Sequence, residues 1–304
     1  MNPVKNLLCI LSLSDTDKFT IKYATHIAKF TGVENIYVNF INELQNVPEY
    51  IKYVYPRNVF KLNEDIIHKM REDIVAVNVS NIKAKVHFNV FDEGSIHDNC
   101  LKFIAEKQID LVIYRKNIEN PDSVSFATKL VRRSICSVLI ITKNYSTFSR
   151  ILVPVDFSEH SKEALEAGIY LSKLADISMI NLLHVIEISS INMIKSAHDY
   201  EKNIIMLKNY VKEDGIKFLK SCDTRGVEIN TIYDISEKIE KGIMKVSNMK
   251  KIDLVIVGAQ GRTSGISIFL GSVTDSLIKE LSVPLLVIKK KGTGLDILKR
   301  LFIN

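Results

Sequence analysis

A chain of 304 residues is long enough for about two domains of ordinary size, and 46% apolar with 25% charged residues is the balance of a globular protein with substantial cores rather than a disordered chain. The 41 basic and 35 acidic residues leave a net charge of +6 spread along the chain, which suits a phosphate-bearing ligand. No dense basic run with interleaved aromatics occurs, so no nucleic-acid partner is expected.

Taken in order, the apolar run from Leu7 to Leu13, interrupted by Ser12 and followed by Asp15 and Asp17, reads as a buried strand and is too short for a signal sequence. No stretch approaches the roughly 20 apolar residues of a membrane span. A helical pattern ending at Ile27-Ala28 leads to a second apolar run, Ile36-Tyr-Val-Asn-Phe-Ile41. The segment from Glu43 to Leu62 carries Tyr50, Tyr53, Tyr55 and Phe60 with two prolines, an insertion expected to pack against the crevice of the first half, with a lid or partner surface as the alternative. Strand patterns recur at Gln108-Ile-Asp110-Leu-Val-Ile113 and Ser137-Val-Leu-Ile-Ile141.

From residue 150 the chain repeats itself. Arg150-Ile-Leu-Val-Pro-Val-Asp-Phe-Ser158 answers the opening strand, Ile180-Asn-Leu-Leu-His-Val-Ile186 the second, and Lys251-Ile-Asp253-Leu-Val-Ile256 and Pro284-Leu-Leu-Val-Ile288 the last two. The separation stays at 143–147 residues, which predicts two tandem copies of one unit, 1–145 and 146–304. Short β-branched runs alternating with longer amphipathic segments predict right-handed βαβ connections and open parallel sheets. In the second copy strands are expected near 150–156, 179–186, 227–233, 253–258 and 284–289, and helices near 158–175, 198–222, 236–250 and 272–281. Ser158 is the expected cap of the first of these helices, with Glu159 in its first turn.

Gly258-Ala259-Gln260-Gly261, then nine residues, then Gly271-Ser272 describes a strand running into a phosphate-cradling loop that re-enters a helix. Glycine lets backbone approach a polyanion where a Cβ would block it, and the N–H groups of the helix start would face the phosphates. Ligands of such sheets lie beyond the carboxyl ends of the strands, so Pro154-Val155-Asp156, His184-Val185 and Val257-Gly258 are expected around one crevice. No P-loop, dinucleotide fingerprint or nucleophile elbow occurs. The four cysteines form no C-x-x-C pair and the seven histidines show no metal-ligand spacing, so no metal site is expected and a reducing cytoplasm is the natural compartment.

These motifs resemble a universal stress protein domain of the nucleotide-binding subgroup: the Val-Pro-Val-Asp-Phe-Ser opening, Leu-Leu-His-Val-Ile, G-x2-G-x9-G-S and the closing Val-Pro-Leu-Leu-Val-Ile. The likeness is close over 150–289 and loose over 5–143, giving a tandem member. It implies two Rossmann- or flavodoxin-like sheets of the adenine nucleotide alpha hydrolase-like class, ATP (or ADP or AMP), with magnesium, as ligand, and a stress-response or signalling role. A slow ATPase is the alternative, with no catalytic residue assigned. By position, Asp156 would bond ribose or adenine, Pro154 and Val155 would form an apolar wall, and Val185 would read the adenine edge. Val257, Gly258 and Gly261 would pass under ribose and phosphates. Gly271, Ser272, Val273 and Thr274 would grip the phosphates, with Gln260 and Arg262 flanking. The first copy departs from the pattern: Ser12 stands for Asp156, Ile10 for Pro154, Arg115 and Lys116 for the glycine loop, and Val124-Ser125 for Gly271-Ser272. It is not expected to bind ATP in the family manner; its expected job is structural, as a pseudo-dimer partner or a sensor for some other ligand, and a scaffold or ligand-binding protein using this half is an alternative. Pairing of 138–141 with 285–288 in an intrachain pseudo-dimer, or a further homodimer, is expected to cover edge strands. The tail 295–303 is amphipathic and expected to dock on its own protein.

Overall fold

The computed structural model describes residues 4–12, 14–41, 64–68, 70–72, 82–91, 95–142, 147–187, 200–260 and 270–289. The aromatic insertion at 43–62, the tail at 295–303, and Gly261 and Arg262 lie outside these residues. The chain forms two compact units, one of Asn2–Thr147 with Lys289–Asn304 and one chiefly of Phe148–Ile288.

The first unit runs β1 (Asn6–Leu11), α1 (Asp17–Thr31), β2 (Asn35–Ile41), β3 (Lys85–Phe91), α2 (Ile96–Glu106), β4 (Leu111–Arg115), α3 (Pro121–Arg133) and β5 (Ser137–Ile141). Its strands lie in the order β3-β2-β1-β4-β5, and every neighbouring pair is parallel. The second unit runs β6 (Ile151–Pro154), α4 (Glu159–Leu174), β7 (Met179–Glu187), α5 (Tyr200–Lys220), β8 (Glu228–Ser236), α6 (Ile239–Met249), β9 (Leu254–Gly258), α7 (Ser272–Glu280) and β10 (Leu285–Ile288). Its order is β10-β9-β6-β7-β8, again parallel throughout. Each unit is therefore an open, five-stranded parallel α/β sheet whose strand order reverses beside its first strand.

The central strands are apolar at consecutive positions because helices cover both faces. Leu7, Leu8, Cys9, Val112 and Ile113 are closed to solvent, as are Ile151, Leu152, Val153, Leu254, Val255 and Ile256. The strands and helices of the second unit follow the sequence pattern to within a few residues, and β8 runs on to Ser236. Ser158 caps α4, its hydroxyl accepting from the Ser161 N–H at 3.2 Å.

The repeated Ile-Asp motif has a shared structural job. Gln108 and Lys251 take left-handed φ of +50° at the turn from α2 into β4 and from α6 into β9. The next N–H reaches back to the helix, Ile109 to Ile104 O at 3.0 Å and Ile252 to Ser247 O at 2.8 Å, which ends each helix and buries the isoleucine. The aspartate then ties the fourth strand to the first. Asp110 accepts from the N–H groups of Lys5 and Asn6 at 2.9 and 3.0 Å. Asp253 accepts from the N–H groups of Ser149 and Arg150 at 3.0 and 2.8 Å and from the Ser149 hydroxyl at 2.9 Å.

Asp253→Ala leaves two backbone donors and a hydroxyl without their acceptor in a nearly buried position. It is expected to lower stability by about 1–3 kcal/mol in urea unfolding, with a smaller loss for Asp110→Ala.

Candidate functional site

In the second unit, β6 and β9 flank the reversal of strand order, and they part early. Their register covers only Ile151↔Leu254 and Leu152↔Val255. The corresponding pair in the first unit, β1 and β4, stays in register from Leu7↔Leu111 to Ile10↔Tyr114. Backbone N–H direction alternates along a strand, and the Val155 N–H donates sideways to Leu183 O on β7 at 2.8 Å. The nitrogen of Pro154 therefore faces β9, and proline has no hydrogen there to give. Ile10, which keeps its N–H, holds the equivalent position in the first unit. One imino acid thus ends the pairing early at the carboxyl end of the second sheet, at the edge where such a sheet has its crevice, while the first sheet stays zipped there.

The turn beyond β6 carries Asp156. Its Oδ1 accepts from the Ser158 N–H at 3.0 Å, a local turn that delivers the chain to the start of α4. Val155 is buried, and Asp156 and Pro154 are part-exposed at the crevice. On β7, the Val185 side chain packs against α6 where Gly242 sits, and a Cβ on Gly242 would come 2.7 Å from Val185 Cγ1.

The β9 side combines Val257, buried, with Gly258, Ala259 and Gln260, all part-exposed. The reason for glycine at 258 differs from the one expected. An added Cβ would lie 2.7 Å from the carbonyl oxygen of His160 in the first turn of α4, so this glycine serves a close approach of β9 to α4. Two bonds then bring the last helix to the same edge. The Gly271 N–H donates to Ala259 O at 2.9 Å, and the Thr274 hydroxyl donates to Gly258 O at 3.0 Å. Both groups are engaged within the scaffold.

The start of α7 is a different matter. Gly271 is its cap residue and brings no side chain to it. The first intrahelical bond is Asp275 N–H to Gly271 O at 2.9 Å, so the N–H groups of Ser272, Val273 and Thr274 precede the helical ladder, beside the exposed Ser272. Such an end carries positive partial charge and suits an anion. Among the described residues no cluster of His, Cys, Asp or Glu could hold a metal ion.

The first unit satisfies the same positions with its own side chains. Asp17, 2% exposed, accepts from the Ser12 and Ser14 N–H groups at 3.1 Å each and closes the turn after β1. Asn120 caps α3, its Oδ1 accepting from Asp122 N–H at 2.9 Å and Ser123 N–H at 3.4 Å. Lys116 holds the place of Ala259, its N–H donating to Ile141 O as that of Ala259 does to Ile288 O. Its side chain is buried, and burial lowers the ammonium pKa to about 8. Val124 and Ser125 lie inside α3, one turn past its cap.

Beside the crevice, Phe157 was not expected as a site residue from the sequence, and His184, expected at this edge, was given no role there. Phe157 takes φ +64°, and its ring stacks on His184 at 4.4 Å with an 8° interplanar angle. Neither φ nor ring contact has a sequence signature, although Phe157 stands in the Val-Asp-Phe-Ser string and His184 in Leu-Leu-His-Val-Ile.

Gly258→Ala is expected to cost about 1–3 kcal/mol through overpacking against the His160 backbone, read by thermal or urea unfolding. Lys116 has its folded pKa below the ordinary 10.5, so folding releases a proton between about 8 and 10.5. The penalty for the buried charge is complete below that window and fades as pH rises through it. The stability of the parent relative to Lys116→Met should accordingly rise from pH 8 towards 10.5.

Residues 147–289 match the Universal stress protein family. Two universal stress proteins of Methanocaldococcus jannaschii are similar to this chain, each 30% identical: one over 50% of this chain and 88% of its own length, the other over 48% and 98%. A universal stress protein of Bacillus subtilis is 26% identical over 47% of this chain and 99% of its own. The crystal structure of a universal stress protein from Archaeoglobus fulgidus shares the fold, with a TM-score of 0.62 at 21% identity over 93% of this chain and 98% of that one. Among the described residues no helix is long and apolar enough to cross a membrane. In fold, motif and sequence alike, the chain belongs to the universal stress protein family.

Proposed function

We propose that the chain binds one adenine nucleotide, ATP or its ADP or AMP form, in the crevice of the second unit, and that occupancy regulates a response to stress. The observation that carries this reading is the helix start at Ser272, whose cap residue Gly271 brings no side chain to it, set beside strands that part at Pro154. Its N–H donors fit a phosphate, and the part-exposed Asp156, Gly258 and Gln260 border the crevice where a nucleoside would lie.

In this reading the N–H groups of Ser272 and Val273, with the Ser272 hydroxyl, hold phosphate oxygens. Gly271 and Thr274 keep that helix start against β9 through bonds of 2.9 and 3.0 Å to Ala259 and Gly258. Asp156 accepts from ribose or adenine, Pro154 and Val155 form the apolar wall, and the Val185 backbone meets the base edge. Val257, Gly258 and Gln260 floor the site, and Gly261 and Arg262 are assigned from the family likeness. Magnesium would travel with the phosphates, an ion that keeps much of its water and needs few protein ligands. The domains in this reading are 1–145 and 146–304, with the first supporting or recognising other ligands and the whole acting in the cytoplasm. Its self-capped helix and its carboxylate-closed turn leave no equivalent donors for a nucleotide there.

Calorimetry of the full chain with ATP and magnesium is expected to give about one site. Asp156→Asn and Pro154→Ile should each weaken binding about tenfold or more, the first by removing a charged acceptor and the second by letting β6 zip to β9. Two equal sites would overturn the assignment of the first unit, and no binding at all would overturn the nucleotide reading.

A further inference from the structure

Among the described residues, five that are not glycine take positive φ. Gln108, Asp176, Arg225 and Lys251 lie in turns between a helix and the next strand. Phe157 lies where a strand passes into a helix, and it is the aromatic one of the five. A bulky residue in the left-handed region is strained, and such strain persists only where neighbours hold it. Three interactions hold this turn. The Phe157 ring stacks on His184 at 4.4 Å and meets the buried Phe218 of α5 at 5.5 Å with a tilt of 53°. His184 Nδ1 lies 2.9 Å from Val155 O. A carbonyl oxygen only accepts, so Nδ1 carries the proton and donates. The Val155 N–H is held by β7 as well, through Leu183 O at 2.8 Å. Residues 155 and 157 are thus clamped on either side of Asp156, whose own Oδ1 takes the Ser158 N–H.

We propose that Phe157 and His184 are positioning residues of the second unit's site, clamping the turn so that the Asp156 carboxylate is set for a nucleoside before one arrives. This rests on the adenine-nucleotide reading above. Pre-setting the acceptor removes an ordering cost from binding, so loss of the clamp weakens affinity through Asp156 alone. A residue that merely stabilised the fold would act independently of Asp156.

A double-mutant cycle on the full chain tests this, with ATP affinity measured by calorimetry and folding checked by thermal unfolding. His184→Phe keeps a ring for stacking and deletes the donor, and is expected to weaken ATP binding about tenfold. His184→Asn restores a donor near the Nδ1 position and should recover part of that loss. Phe157→Gly adopts φ +64° without strain and removes the ring; it should fold at least as well as His184→Phe and still bind more weakly than the parent. In the Asp156→Asn background, His184→Phe should cost nothing further. Losses that multiply in the double variant overturn the clamp, as does parental affinity in both His184→Phe and Phe157→Gly. If Asp156→Asn weakens binding while those two do not, the clamp falls and the nucleotide site stands. If the parent binds no ATP, both fall.

Discussion

A carboxylate at the head of the fourth strand holds each sheet together at its amino end. Asp110 and Asp253 each accept from two successive backbone N–H groups that open the first strand, groups that would otherwise be left unpaired at a sheet margin. Bonds of this kind, with a charged acceptor, are stronger than neutral ones and fix register. Because the amino end is secured, the carboxyl end of the same strand pair is free to differ. In one unit the strands stay paired through Ile10 and Tyr114; in the other they separate after Leu152 and Val255.

The character of each carboxyl end depends on where its backbone polar groups go. A turn and a helix start expose N–H groups that need acceptors. The first unit answers with Asp17 and Asn120. The second has its aspartate one turn earlier, in the loop itself, and a glycine where Asn120 would be. There the N–H groups of Ser272, Val273 and Thr274 precede the helical ladder, and Gly271 brings no side chain to them. Two copies of one fold thereby differ at the same sheet edge without differing in topology, through a handful of side chains.

Much of the fold was legible. Consecutive β-branched and apolar residues marked the buried parallel strands because both faces are covered, and Ser158 announced a helix start because a hydroxyl before an acidic first turn has few other uses. The spacing of Gly258 and Gly271 marked a strand end and a helix start, but the reason attached to Gly258 was incomplete. Its lack of a Cβ is demanded by the His160 backbone, a contact between elements about 100 residues apart that no local pattern encodes. Phe157 illustrates the same limit. Its left-handed backbone is held by His184 and Phe218 from two other elements, and nothing in a Val-Asp-Phe-Ser string reveals it.

By itself the sequence determined the α/β class, the likeness of the two halves, and which half carries Pro154, Asp156, Gly258 and Gly271. Those depend on periodicity and composition, which act over a few residues and so can be read in one dimension. Only the tertiary structure decided how far β6 stays paired with β9, which donors of the last helix are engaged by the scaffold, and which neighbours hold the Asp156 turn. Each of these depends on atoms from distant segments competing for the same hydrogen bond or the same space, and that competition exists only once the sheet has assembled.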